Sequence, residues 1–398
     1  MGYQLQIYLK SPVCISKNKG VGNVIETVDY VPGNTIRGAL AIRYLEIQGR
    51  WDQEKRLYAL PEENREFNDI FNSDKMCFHN AYIEGKRVVP FTASSCKYQG
   101  GFLDSKRDMH GVRDTLIELA RYELTGEYDR DRFDICGEIC KAPMDRFRGY
   151  YAKESEAIYE KGTIFKRFIA RTALNEYFET ASSGNLYTVE VLNEGQTFIA
   201  ELNEGLFDRL KPLFDKSIIR IGRSKSRGLG EVEIRVRKTE EDNGHLLVNR
   251  FKELNNKMKN LVPGKFFFTL TLLSDAIVLD EILRYKSTIE INDLLDSTQN
   301  SPSEAIEVLQ KFKLLRGVLS TRIISEWNYA LKLPQEDSLS IEKGSVFLFM
   351  SESLSDNKII QLTTILNTIE NTGLGERRNK GYGRVRFCDE FHWEDNIK

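Results

Sequence analysis

The stretch Ile221-Gly-Arg-Ser-Lys-Ser-Arg-Gly-Leu-Gly-Glu-Val-Glu-Ile234 decides how the rest of the chain is interpreted. Glycine accepts positive φ angles and lets a ligand approach closely, because it has no Cβ. Free backbone N–H groups in such a loop form a concavity that binds anions, and neighbouring Arg and Lys side chains add charge. The stretch therefore predicts a phosphate-binding loop that leads into an alternating strand. A basic surface turn is the alternative.

The same pattern returns near the C-terminus as Gly375-Glu-Arg-Arg-Asn-Lys-Gly-Tyr-Gly-Arg-Val-Arg-Phe387. A shift of 153 residues aligns the glycines in pairs: Gly222 with Gly375, Gly228 with Gly381, and Gly230 with Gly383. The same shift aligns Arg227 with Lys380. Two loops in one register, each followed by an alternating strand, indicate an internal repeat. We call 222–230 the first glycine loop and 375–383 the second glycine loop.

Composition limits the classes of protein that the chain can represent. Its 398 residues are enough for two domains, and 57 basic against 59 acidic residues give a net charge of −2. Basic residues are concentrated locally, with seven against two acidic ones in 220–238, which favours a specific polyanion groove. No apolar run is long enough for a membrane span and no signal peptide is seen, so we expect a cytoplasmic protein. Without a Gly-Lys-Ser/Thr motif, we expect no nucleotide or organic cofactor.

The apolar patterns predict an α+β fold in which a βαββαβ unit occurs twice, as in ferredoxin-like or RRM-like domains. In the first unit a helix follows Pro32-Gly33, and Leu186–Leu202 is interpreted as a hairpin. In the second unit, 323–333 and 345–350 are interpreted as a strand pair. We predict an N-terminal domain over 1–240 with an insertion at about 50–180, a linker over 241–262, and a C-terminal domain over 263–398.

The first predicted helix is a second candidate for anion binding. Asn34 or Thr35 can cap it, and its N-terminal N–H groups and dipole attract negative charge. Arg37 lies in the first turn and adds a cation. We therefore include Asn34 and Arg37 among the candidate binding residues, with a capped core helix as the structural alternative.

The predicted insertion contains a set of metal-ligating residue types. Cys136-Gly-Glu-Ile-Cys140 brings two thiols close together, and Cys96 and His110 can complete a tetrahedral zinc site. An irregular segment without a large core of its own benefits from such a staple. Chance spacing of two cysteines is the alternative. Cys77 and His79 lie in an alternating stretch and are predicted to be strand residues.

The glycine loops, the two RRM-like units and the segment Tyr30-Val-Pro-Gly-Asn-Thr-Ile-Arg-Gly-Ala-Leu40 resemble the CRISPR-associated RAMP (repeat-associated mysterious protein) superfamily. The segments around Cys96, His110 and Cys136…Cys140 are most similar to the large five-group RAMP subunit of type III-D effector complexes. The resemblance implies a non-catalytic subunit that binds the repeat-derived 5′ handle of a guide RNA and caps the foot of the complex. Implied partners are guide RNA, the large polymerase-like subunit and RAMP backbone subunits, with target RNA contacted indirectly and no membrane.

A single-stranded handle offers phosphates, 2′-hydroxyls and unstacked bases to the protein. Cationic loop residues would neutralise phosphates, serines would donate hydrogen bonds, and Tyr382 could stack on a base. Besides Asn34 and Arg37, the candidate RNA-binding residues are Gly222, Arg223, Ser224, Lys225, Ser226, Arg227, Gly228, Gly230, Gly375, Arg377, Arg378, Lys380, Gly381, Tyr382 and Gly383.

Two related functions and one unrelated function remain as alternatives. Repeat-processing RAMP endoribonucleases commonly carry a catalytic histidine in the N-terminal domain, whereas the first histidine here is His79, beyond the first helix. A target-cleaving backbone subunit would use an acidic residue with a divalent metal, for which Asp29 is the candidate. A general tandem-RRM protein would show aromatic strand motifs, which neither unit has.

Overall fold

The computed structural model describes most of the chain. The described residues are 2–17, 23–52, 57–58, 65–73, 76–103, 108–137, 139–155, 158–174, 181–202, 204–214, 217–239, 246–259, 263–298, 302–328, 333–352 and 354–393.

An antiparallel sheet, the N-terminal sheet, organises the first half of the chain. Its strands in sheet order are Ser217–Arg220, Glu231–Thr239, Gly2–Leu9, Thr197–Leu202 and Tyr82–Ile83. The central strand alternates as the sequence predicts, with Leu5, Ile7 and Leu9 buried towards the helices. Apart from the added edge strand at 217–220, the order is last, first, third, second. This is the order of a ferredoxin-like unit.

A second antiparallel sheet, the C-terminal sheet, repeats that order. Its strands are Val385–Phe387, Lys265–Leu272, Val346–Glu352 and Lys313–Val318. Both faces of the central strand are covered, because Thr269 and Thr271 are as buried as the phenylalanines beside them. His392, past the last strand, contacts Thr271 at 3.0 Å and Asp114 of the predicted insertion at 2.8 Å. The α+β prediction of two ferredoxin-like units is confirmed.

The described residues form helices beside the two sheets and within the predicted insertion. They are Gly33–Ile47, Arg65–Phe71, Leu116–Thr125, Arg130–Phe133, Glu204–Leu210, Leu247–Met258, Ile291–Asp296, Ser303–Leu309 and Asp356–Thr372. Short 3₁₀ turns cover Lys211–Leu213, Lys225–Arg227, Arg378–Lys380 and Glu390–His392. The helix Leu247–Met258 lies in the segment predicted as a linker. It buries Phe251 and Leu254 in the C-terminal core at helical spacing.

The segment predicted as an insertion builds several small sheets. One pairs Val112–Asp114, Ala93–Cys96 and Met144–Arg146, a second pairs Ile158–Gly162, Tyr150–Ser155 and Arg87–Val88, and Trp51–Asp52 pairs with Leu57–Tyr58. A third three-stranded sheet joins Lys166–Leu174, Ala181–Leu192 and Val24–Ile25. In the C-terminal half, Thr321–Ile324 pairs with Ser338–Ile341, and Trp327–Asn328 with Leu333–Pro334.

Two predicted strand pairings are wrong. The strands at 181–192 and 197–202 both exist, but the first joins Lys166–Leu174 and the second joins the N-terminal sheet. The second strand of the C-terminal unit is Lys313–Val318, not 323–333. A register shift between Leu314 and Arg316 disrupts the alternation that would have revealed this strand. Apolar alternation predicts strands well but does not choose their partners.

The beginning of the first helix also differs from its prediction. The helix runs over Gly33–Ile47, but Pro32 occupies the N-cap position and neither Asn34 nor Thr35 caps it. The Gly33 N–H donates instead to Oδ1 of Asn80 at 2.8 Å. Cys77 and His79 do not lie in a strand either, because the segment before Asn80 runs irregularly across this helix end. Asn80, distant in sequence, therefore binds the helix N-terminus in place of a local cap. The side-chain amide of Asn34 is not used as a cap and makes a different hydrogen bond, described below.

Candidate nucleic-acid interface

The two glycine loops have the same backbone. Ser224 and Arg377, which the 153-residue shift aligns, both adopt the left-handed conformation with φ 56°. Each is followed by a 3₁₀ turn that ends at a left-handed glycine, Gly228 with φ 81° and Gly381 with φ 93°. The predicted repeat is thus also a repeat of conformation.

Close backbone contacts explain the outer glycines of both loops. A Cβ on Gly222 would lie 2.3 Å from the Cys14 carbonyl oxygen, and one on Gly375 would lie 2.3 Å from that of Ile277. Gly230 and Gly383 likewise allow no side chain, since a Cβ there would lie 2.1 Å and 1.7 Å from the carbonyl oxygens of Ile221 and Leu374 at the start of each loop. Gly222 and Gly375 hold each loop against the chain that follows the first strand of its unit, and Gly230 and Gly383 close the loop on its own start, so the first role of these glycines is to build the fold.

The first glycine loop projects its cations outward. Arg223, Ser226 and Arg227 are exposed, and a Cβ on Gly228 would meet nothing within 4 Å. The Arg223 guanidinium donates to Ser16 Oγ at 2.9 Å, and that of Arg227 donates to Tyr187 Oη at 3.1 Å. Among the described residues, neither arginine forms an ion pair with a carboxylate. This loop therefore presents uncompensated positive charge to the surroundings.

The second glycine loop is packed against the first helix. A Cβ on Gly381 would lie 2.7 Å from the Phe78 carbonyl oxygen, and one on Gly33 would lie 2.9 Å from that of Lys380. Residues of the C-terminal unit therefore lie directly at the helix N-terminus of the N-terminal unit. The structure brings Asn34 and Arg37, predicted from one end of the chain, close to the loop predicted from the other.

One buried carboxylate holds this composite cluster together. Glu326 accepts hydrogen bonds from Lys380 Nζ at 2.9 Å, Asn34 Nδ2 at 3.0 Å and Tyr382 Oη at 3.2 Å. Arg377 forms a longer ion pair with the same carboxylate at 3.5 Å. Glu326 lies in 323–333, the segment predicted as a strand, and it is not among the predicted site residues. Its contact with Asn34 spans 292 residues, so no local pattern indicates it.

The two other candidate cations near this cluster, Arg37 and Arg378, do not bind Glu326 in the described structure. Arg37 donates to the Phe71 carbonyl oxygen at 2.5 Å and to Asn72 Oδ1 at 2.8 Å, and burial lowers its pKa. Arg378 is partly exposed and has no carboxylate partner in the described part of the chain. Arg378 is consequently the cation of the second glycine loop that remains available to an anionic ligand.

The predicted metal ligands meet in space. One ligand atom from each of Cys96, His110, Cys136 and Cys140 lies within 4.8 Å of all the others. The sulfurs of Cys96 and Cys140 are 3.8 Å apart, and His110 Nδ1 lies 3.0 Å from the sulfur of Cys136. Zn–S bonds of about 2.3 Å place two sulfurs of a tetrahedron about 3.8 Å apart. The geometry and the donor set therefore suit a tetrahedral metal ion.

Backbone contacts support this cluster from outside. The Gln99 N–H donates to the Cys96 sulfur at 3.4 Å, and Arg113 donates to the Cys136 carbonyl oxygen at 2.6 Å. Burial opposes ionisation of Cys96, but backbone N–H donors outweigh it and lower its pKa to about 6. Burial and the neighbouring thiols raise the pKa of Cys136 to about 12. A bound cation would offset the repulsion that several thiolates would otherwise experience.

Asp29 is the candidate of the target-cleaving alternative, and His79 is the first histidine of the chain, whose position argued against the repeat-processing alternative. Asp29 accepts from Lys343 Nζ at 3.1 Å, and although burial opposes it, this lysine lowers the Asp29 pKa. Among the described residues, Asp29 belongs to no cluster of three or more potential metal ligands. His79 is partly buried near Arg384, and burial lowers its pKa to about 4, so its ring is neutral at pH 7.

Comparison with known proteins identifies the family. The RAMP superfamily model matches residues 6–233, and the chain belongs to this superfamily. No curated protein shows significant sequence similarity to the chain. In the described ranges, no helix is both long enough and apolar enough to cross a bilayer.

Several solved structures are similar at low identity. A chain of a type III-B Cmr-β complex bound to cognate target RNA and AMPPNP is 12% identical, with a TM-score of 0.40, over 92% of this chain and 88% of that one. A Cas6 product complex is 14% identical, with a TM-score of 0.31, over 49% of this chain and 78% of that one. Thermus thermophilus Cas6 is 15% identical, with a TM-score of 0.29, over 50% and 75%.

Proposed function

We propose that this chain is a non-catalytic, RNA-binding subunit of a type III CRISPR effector complex. It binds the repeat-derived 5′ handle of the guide RNA at the foot of the complex, in the cytoplasm. It contacts the large polymerase-like subunit and a RAMP backbone subunit there, and target RNA indirectly. The sequence resemblance favours the five-group subunit of a type III-D complex.

The observation that carries this proposal is the first glycine loop. Within a RAMP fold, Arg223 and Arg227 are exposed, lie on a rigid glycine-rich backbone and have no carboxylate partner among the described residues. Arginines in this setting neutralise phosphates and fix the register of a strand. Asn34, Arg37, Arg378 and Tyr382 form a second proposed contact for the same RNA. Glu326 sets the positions of Asn34 and Tyr382 in it.

The test is RNA binding by the full chain over a salt series. Replacing Arg223, Lys225 and Arg227 together by Ala should weaken binding of repeat-derived single-stranded RNA. It should also reduce the slope of log affinity against log salt by about 2, since each lost contact contributes about 0.7 for single strands. The matched control replaces Arg235 and Arg237 by Ala. Both lie on the strand Glu231–Thr239 that follows the loop, and they pair with Glu233 and Glu84 respectively. An unchanged slope in the loop variant would exclude this loop as the RNA site.

We further propose that Cys96, His110, Cys136 and Cys140 hold one structural zinc ion. The tetrahedral spacing of their ligand atoms supports this, and the small sheets around them have little core of their own. Elemental analysis of the purified chain should find about one zinc per molecule, and Cys136→Ser should lower both the zinc content and the unfolding temperature. Zinc-free protein with unchanged stability would contradict this part of the proposal.

A second candidate function is repeat processing by a RAMP endoribonuclease. One observation favours it: His79 lies between Phe78 and Asn80, which both contact the second glycine loop at Gly381. Incubation of the full chain with repeat RNA in chelator distinguishes the two functions. Cleavage at one position that is lost in His79→Ala would replace the non-catalytic proposal, whereas intact RNA agrees with it.

A further inference from the structure

The first glycine loop packs on two strands of the three-stranded sheet that also contains Val24–Ile25, and we call these two strands the ribbon. The ribbon consists of Lys166–Leu174 and Ala181–Leu192, paired antiparallel. Leu229 of the loop is buried with Val189 and Val191 of the ribbon and with Cys14. One face of the ribbon is therefore fixed against the loop, and residues further along that face lie at the edge of the loop.

Arg171 and Tyr187 occupy the next positions along this face. They are direct cross-strand partners, one pair beyond the packed pair Ile169 and Val189, so their side chains leave the sheet on the same side. The hydroxyl of Tyr187 accepts a hydrogen bond from Arg227 at 3.1 Å, which orients that guanidinium. The ribbon and the loop therefore present their arginines side by side.

The charge around these arginines is not compensated. Arg171, Arg223 and Arg227 have no ion pair with any described carboxylate, whereas other cations of the same ribbon do. Arg167 pairs with Glu194 at 2.8 Å, and Lys166 pairs with Glu190 at 3.6 Å. The chain has slightly more acidic than basic residues, so pairing partners are not scarce. Neighbouring unpaired arginines repel one another, and an anionic ligand removes that repulsion.

We infer that Arg171 and Tyr187 extend the RNA site from the first glycine loop onto the ribbon. Arg171 contacts a phosphate of single-stranded RNA next to those held by Arg223 and Arg227, and Tyr187 acts as a positioning residue for Arg227. The partner is a nucleic-acid backbone, because several neighbouring guanidinium groups without a carboxylate partner among the described residues match a chain of phosphates. This inference rests on the proposed function and adds residues that neither glycine motif contains.

The test compares four single substitutions in the full chain with repeat-derived single-stranded RNA. Arg171→Ala should weaken binding about 3- to 10-fold near physiological salt and reduce the salt slope by about 0.7. Arg171→Lys should retain the slope, because the charge remains. Arg167→Ala is the matched control on the same strand and should change neither quantity. Tyr187→Phe should retain the slope and weaken binding about twofold, because only the orientation of Arg227 is lost.

The outcomes separate this inference from the proposed function. Wild-type affinity and slope in Arg171→Ala, combined with lost binding in the triple loop variant, would overturn the ribbon contact and leave the proposed function intact. Unchanged binding in both variants would overturn both. Thermal unfolding of each variant shows whether the fold is kept, and Arg171→Lys still decides the role of the charge if Arg171→Ala is unstable.

Discussion

The two glycine loops share a backbone but not an environment. Ser224 and Arg377 have the same φ of 56°, and the outer glycines of the two loops face equivalent carbonyl oxygens. In the first loop the arginines face outward, and among the described residues their side chains donate hydrogen bonds to Ser16 and Tyr187. In the second loop a buried glutamate binds the equivalent cation and its neighbours.

This difference separates two uses of one motif. The first glycine of each loop, Gly222 or Gly375, is needed because the chain after the first strand leaves no room for a side chain. The basic side chains can differ in role between the two loops, because the shared backbone conformation does not depend on what they bind. We therefore interpret the first loop as an RNA-binding device, and most of the second as an internal joint that also leaves Arg378 for RNA.

The largest expected effect comes from removing the joint. Glu326→Ala leaves Lys380 and Arg377 without their carboxylate in a largely buried place, since only 5% of the Glu326 side chain is exposed. We expect a loss of about 3 kcal/mol in the free energy of unfolding, the lower end of the range for a broken buried pair, because the partner cations are still partly hydrated. Urea denaturation of the full chain measures it.

Glu26→Ala is the control for this prediction, because Glu26 forms an exposed ion pair with Lys17 at 3.7 Å. It should change stability by no more than about 0.5 kcal/mol. RNA binding by the first loop should be unaffected in Glu326→Ala. Unchanged stability together with tighter RNA binding would show instead that Glu326 occupies a ligand position, and the contrast between the loops would disappear.

A smaller effect is expected from adding one methyl group to the aligned glycines. Gly228→Ala and Gly381→Ala both place a side chain at positive φ, which costs about 1–2 kcal/mol. Only Gly381→Ala also drives a Cβ to within 2.7 Å of the Phe78 carbonyl oxygen, whereas Gly228 faces open space. We expect Gly381→Ala to be less stable than Gly228→Ala by about 1–3 kcal/mol in parallel urea titrations. Equal losses would mean that the second loop is no more tightly packed than the first.

The sequence was sufficient for the repeated features and insufficient for the contacts between them. Glycine spacing predicted both loops because each conformation depends on residues a few positions apart. The four metal-ligand candidates were found because few other residue types bind zinc. Glu326 was missed because its partners lie far away in the chain. The alternating stretch 76–83 contains Tyr82–Ile83, but its role as the second strand of the N-terminal sheet was missed because its partner strand Thr197–Leu202 lies far away in the chain.

The smallest expected effect concerns the residue that follows each loop. The shift of 153 residues aligns Glu231, which pairs with Lys10 and Arg220 in its own unit, with Arg384, which pairs with Glu201 of the N-terminal sheet. Arg384 lowers the pKa of Glu201 from 4.5 to about 2. Because the folded pKa lies below the unfolded one, the pair stabilises the protein above about pH 4.5, and this contribution is lost as the pH falls towards 2.

Glu201→Gln should therefore cost stability at pH 7 and progressively less in acid. The loss should stay within about 1 kcal/mol, because 57% of the Glu201 side chain is exposed and solvent screens the pair. Glu26→Gln, which removes an exposed pair with Lys17, is the control and should show a smaller effect. Urea denaturation at several pH values between 2 and 7 measures the difference from the wild type. A difference that does not change with pH would mean that Arg384 does not join the second loop to the N-terminal sheet electrostatically.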